Sequence, residues 1–145
     1  MIAVSLFEKY LLGAVFAQAF LTFALLFLLG FLRYKAIKTK QVSVKDIALD
    51  TKKYPQKAQQ VANSFANQFE LPILFYCAII VSFLFSIGWV EIILAWIFVI
   101  MRYIHAAIHI STNNVNFRFA VYVLGFFTLV VFYIYLAYRI FIWVY

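Results

Sequence analysis

Three groups of polar side chains interrupt a chain of 145 residues that is otherwise strongly apolar. Asn63, Asn67 and Glu70 stand at i, i+4 and i+7; Arg102, His105 and His109 at i, i+3 and i+7; Arg118 and Tyr122 at i and i+4. On α-helices each spacing puts its members on one side. An ionisable group at membrane depth costs roughly 2.5–3.5 kcal/mol on insertion scales, so it needs a partner or a wet cavity. Glu70 and Arg102 fit either of two roles: a buried ion pair clamping two helices, or the polar wall of a cavity. Asn63 fits a plain interhelical hydrogen bond. His105 and His109 form an H-x-x-x-H pair whose imidazoles share a face, as in two-histidine metal sites. No further His and only one Cys stand in the chain to complete a soft ligand set, so no metal centre is expected. Two histidines on one helix also exclude a haem held between two helices of one chain. The single cysteine, Cys77, rules out an intrachain disulfide and, amid apolar neighbours, reads as a buried, inert thiol.

The elements that must position these groups follow from the apolar runs. With 68% hydrophobic and 12% charged residues, the chain departs far from the soluble average of about 45–50% apolar and about 25% charged, so it is an integral membrane protein. Only 4 Gly and 2 Pro against 18 Phe and 10 Tyr exclude low-complexity and disordered classes. Residues 10–32, 71–90 and 119–138 are charge-free and match the roughly 20 residues a crossing helix needs. Residues 92–101 are too few to cross, so a third helix reaches length only by carrying Arg102, His105 and His109 inside it. The expected fold class is an all-α, four-helix membrane bundle in a single domain, with helices at about 7–34, 58–89, 90–110 and 117–143. The first run exceeds a signal h-region of about 7–15 residues and lacks a small-residue cleavage site, so it is expected to stay as helix one. Pro72 removes a donor inside the second helix, which predicts a kink just below Glu70.

Orientation is read from the loops. Residues 34–57 carry Lys35, Lys57 and five lysines between them against Asp46 and Asp50, with Arg33 adjoining, and the positive-inside rule makes this connector cytoplasmic. The turn at 86–91 has no Lys or Arg, so it and both termini are expected outside, with Trp89, Trp143 and Tyr145 at the interface; Lys9 and Arg139 weigh against this. The net charge of +7 is concentrated in one connector rather than on a folded basic face. Its partners are therefore phospholipid headgroups, not nucleic acid. All the helix-three and helix-four polar groups lie at the cytoplasmic ends, where three helices converge.

Two motifs and a third, shorter one resemble the family of membrane-associated proteins in eicosanoid and glutathione metabolism, the MAPEG family. Ala66-Asn67-Gln68-Phe69-Glu70-Leu71-Pro72 resembles its N-x-x-E followed shortly by proline. The segment from Arg102 to His109 resembles its R-x-x-H-x-x-x-Y, with His109 where tyrosine is usual. Asn116-Phe117-Arg118 and then Tyr122 resemble the start of its fourth helix. The resemblance implies a homotrimer with a site between neighbouring chains and glutathione as cosubstrate. It assigns Arg118 the catalytic role of stabilising the thiolate, since a guanidinium favours the nucleophilic form of a thiol whose pKa lies near 8.5. Asn67, Glu70, Arg102, His105, His109 and Tyr122 would hold the cosubstrate while an apolar small-molecule substrate approaches from the lipid. Gly13 and Ala17 would permit close helix contacts.

Departures from the pattern matter for function. Asn63 and Ala66 stand where members of the family place arginines, and guanidinium groups are the usual partners of the two glutathione carboxylates. Arg33, Lys35 or Lys57 are the residues able to replace them. The implied activity is that of a membrane-bound glutathione transferase or peroxidase acting on apolar electrophiles. The alternative is a non-catalytic member binding a lipid or other amphiphile in the intersubunit cleft. A small proton-coupled exporter needs an embedded acidic residue, and here helix one is charge-free while Glu70 and Glu91 only flank the second run. Short loops without a retention motif point to a bacterial inner membrane.

Overall fold

Apolar runs this long leave the backbone no hydrogen-bonding partner in lipid except itself, which makes helix the only economical structure. The computed structural model, which describes residues 4–48 and 50–142, contains four helices long and apolar enough to cross a membrane. Among the described residues there is no strand. Trp143 and Tyr145, expected at the outer interface, lie outside the described residues.

The first helix, α1 (Leu6–Lys38), opens on a capping box in which the Glu8 amide donates to the Ser5 hydroxyl at 3.2 Å and the Glu8 carboxylate accepts from the Ser5 amide. It runs past the expected residue 34, with Lys35 and Lys38 in its last turn, where cations complement the helix dipole. The lysine-rich connector then folds into a short helix α2 (Val44–Ile47) and a 3-10 turn (Thr51–Lys53). Tyr54 and Ala36 anchor it in a small apolar cluster with Ala58.

The second span is in pieces: α3 (Gln56–Ala66), a 3-10 turn (Asn67–Phe69) and α4 (Leu71–Phe83). The expected kink is thus a full break. Glu70 has φ −100° and ψ −105°, outside the helical region, and Pro72 sits in the first turn of α4, where its missing N–H costs no hydrogen bond. The span also stops at Phe83 rather than at residue 89. Residues 84–88 form the turn, and the Glu91 carboxylate accepts the Gly88 amide at 3.0 Å, so Trp89 opens α5 (Trp89–Ile110). The last helix, α6 (Val115–Phe141), begins at an Asn114 cap.

The core lies where α1, α4, α5 and α6 meet, around Leu11, Phe75, Phe98 and Phe132, with the Phe75 and Phe98 rings stacked at 4.9 Å. Gly13 and Ala17 face α5: a Cβ on Gly13 would meet the Trp96 ring at 3.4 Å, and the Tyr103 hydroxyl donates to the Ala17 carbonyl at 2.7 Å. Outward, Phe16, Phe20, Phe23, Phe27 and Phe31 run along α1 as an exposed stripe, as expected of a surface solvated by lipid. Both the lysine-rich connector and the 111–114 turn lie at one end of the bundle, here called the basic end, and the Lys57 ammonium joins them by donating to the Ile110 carbonyl. At the opposite end Arg139 pairs with the buried Glu91 carboxylate and donates to the Ser86 carbonyl at 2.6 Å.

Candidate functional site

The break in the second span frees backbone carbonyls at membrane depth, and side chains take them up. Arg102, 1% exposed on α5, donates from Nη2 to the Asn67 carbonyl at 2.9 Å. Gln68 donates to the Ser64 carbonyl at 3.0 Å and accepts from the Gln18 amide of α1 at 2.9 Å. Among the described residues no ion pair joins Glu70 to Arg102. Glu70 is exposed, because the change of backbone direction at residue 70 turns it outward. The Arg102 guanidinium lies 5.9 Å from the Tyr122 ring centroid.

These groups border a cavity of about 210 Å³ at the basic end, lined by Asn67, His105, Val115, Arg118, Phe119 and Tyr122. Three helical segments supply it, because Asn67 closes α3, His105 lies one turn beyond Arg102 on α5, and Arg118 and Tyr122 occupy successive turns of α6. Arg118 donates from Nη1 to the Asn113 side-chain oxygen at 2.6 Å. The His105 ring packs between Tyr122 at 5.8 Å and His109 at 5.7 Å. Several buried nitrogens have no partner within the protein: Nε and Nη1 of Arg102 and Nδ1 of both His105 and His109. Unpaired buried polar groups are costly, so such a cluster suits a polar ligand or water entering from the cavity. The donor set, two guanidiniums with an amide and imidazoles, suits an anionic or carboxylate-bearing one.

Of the residues singled out by sequence, Asn67, His105, Arg118 and Tyr122 line this cavity together and Arg102 backs it. His109 is buried behind His105, and Glu70 is exposed and does not line the cavity. Among the described residues no third His, Cys, Asp or Glu joins the histidine pair in a metal-binding group. Cys77, expected to be buried, is exposed on the outer face of α4 because the helix turns that side away from the core.

The question of which basic residue meets Asn63 has a geometric answer. Arg33 shares a small cavity of about 80 Å³ with Asn63 and Tyr54; its guanidinium lies 5.1 Å from the Tyr54 ring centroid, and its Nε is buried without a partner. Lys35 and Lys57 instead line a separate cavity of about 250 Å³. Sequence reasoning missed Asn113, which holds Arg118, and the Gln18 to Gln68 bridge. Gln18 could have been found as one of few polar groups in an apolar helix. Asn113 carries no helical periodicity, so spacing gave no signal.

No curated protein and no solved structure matches the chain. The sequence profile of the MAPEG family matches residues 11–138, which reaches from within the first span to within the fourth and includes every residue of the cavity. By that match the chain belongs to the MAPEG family.

Proposed function

We propose that the protein is a membrane-bound glutathione transferase or peroxidase that uses a thiol cosubstrate on apolar electrophiles, and that it works as a homotrimer. The observation that carries this reading is the position of Arg118 on a cavity walled by Asn67, His105 and Tyr122, next to buried donors that lack partners. Those donors fit the carboxylates and amides of glutathione, whose contribution is a thiol nucleophile. Arg118 would favour the thiolate by charge. Asn67, Arg102, His105 and Tyr122 would orient the peptide portion, with His109 supporting His105 from behind and Glu70 adding a carboxylate near the same end. Arg33, beside Asn63, is the guanidinium placed to replace one that the family pattern has and this chain lacks. An apolar cleft of about 410 Å³ between α1 and the second span, lined by Phe23, Leu26, Phe65, Phe69 and Ile73, offers room for the electrophile.

The test is conjugation of glutathione to a small aryl halide by the purified protein, a reaction that forms a carbon–sulfur bond and releases halide and a proton. Arg118→Ala is expected to lower kcat/KM by about two orders of magnitude or more, about 2.7 kcal/mol of transition-state stabilisation, with the fold intact. The second reading, a non-catalytic member that holds a lipid or other amphiphile, is favoured by the apolar cleft and by Asn63 and Ala66. It takes precedence if the wild-type protein binds no thiol but is stabilised against unfolding by a lipid or other amphiphile.

A further inference from the structure

We propose that Asn113, in the turn between α5 and α6, is a positioning residue that aims the Arg118 guanidinium at the cavity; this rests on the thiol reading given above. The turn holds two adjacent asparagines that do different work. Asn114 is committed to starting α6, its side-chain oxygen accepting the amides of Asn116 at 3.1 Å and Phe117 at 3.2 Å. Asn113 ends α5: its amide donates to the Ile108 carbonyl at 2.8 Å, and its φ of 52° lies in the left-handed region that Asn and Gly tolerate and other residues rarely enter. That backbone conformation, fixed by the helix end, leaves the Asn113 side-chain oxygen free of capping duty. It accepts instead from Arg118 Nη1 at 2.6 Å.

The chemistry of the acceptor is what makes this useful. An arginine side chain is long and rotamer-rich, and without a fixed partner it spends much of its time away from any one point. A carboxylate would hold it but would cancel the charge it needs. Among the described residues Arg118 has no carboxylate ion-pair partner. A neutral amide oxygen therefore fixes the guanidinium while leaving its full positive charge for a thiolate, and its other N–H groups for the ligand.

Two substitutions separate position from charge. Asn113→Gly removes the acceptor yet suits the left-handed backbone, so the turn and the thermal unfolding midpoint should be kept. Asn113→Asp keeps an acceptor and adds a negative charge. The measurements are the pH dependence of thiolate absorbance of glutathione bound to the full-length protein in detergent, kcat and KM for aryl halide conjugation, and thermal unfolding. For Asn113→Gly we expect a native midpoint, a thiolate titration moved up by about one pH unit, about tenfold loss in kcat, and little change in KM. Asn113→Asp should move the titration in the same direction by its charge while keeping the acceptor; if the glycine variant does not fold, Asn113→Ala, read by the same titration and kcat, decides the matter. A wild-type titration and kcat in Asn113→Gly, alongside an inactive Arg118→Ala, would overturn the positioning role and leave the thiol reading standing. Wild-type activity in Arg118→Ala would overturn both.

Discussion

A buried guanidinium has three nitrogens to satisfy, and Arg102 gives one of them to the Asn67 carbonyl while two remain without a partner inside the protein. Its first task is thus to cap a broken helix, and its second is open to whatever enters the neighbouring cavity. Arg102→Leu should destabilise the protein by about 1–3 kcal/mol, the cost of leaving a buried carbonyl unpaired. Unfolding in detergent would read this loss, and addition of glutathione should stabilise the wild type but not the variant. Asn67, His105, Arg118 and Tyr122 were legible in the sequence because helical spacing fixes which way a side chain leaves a helix. Glu70 was not, since the direction it takes depends on a backbone break that the surrounding helices impose. Asn113 was not either: the sign of its φ is set by how α5 ends, which no periodicity records.

The second span shows how far an element can depart from its pattern without losing its place. Pro72 announced an irregularity, but a single proline inside a continuous helix and a restart of the helix at proline differ in energy. In the first case Pro72→Ala would restore a hydrogen bond and stabilise the protein by about 3 kcal/mol or more. In the structure Pro72 stands in the first turn of α4, so the substitution is expected to change stability by less than about 1 kcal/mol. Equilibrium unfolding separates the two. The break itself is held from α1 through the Gln18 to Gln68 hydrogen bond. Gln18→Leu or Gln68→Leu alone leaves the other amide unpaired and should cost about 1–3 kcal/mol, whereas the double substitution should cost less than the sum of the two. The helix count was readable from apolar runs, but not the helix ends near residues 83 and 115, because caps such as Gly88 with Glu91 and Asn114 act over single turns.

For the whole molecule, lysine asymmetry leads to the expectation that the basic end faces the cytoplasm. A cysteine introduced at Lys45, exposed in the connector, should react with impermeant reagents from that side only. The phenylalanine stripe of α1 is exposed in the single chain, and native mass spectrometry in mild detergent should show three subunits if neighbouring copies assemble as proposed. The two ends of the bundle are fastened unequally. Far from the basic end, the buried Glu91 carboxylate, the Arg139 guanidinium and the Ser86 carbonyl tie α5, α6 and the 84–88 turn into one knot. At the basic end the second span is held to α5 by the Arg102 and Lys57 bonds, each to one carbonyl. The firmer fastening is thus a clasp set away from the cavity, and the rim of the cavity, at Asn67 and Arg118, is secured by single hydrogen bonds.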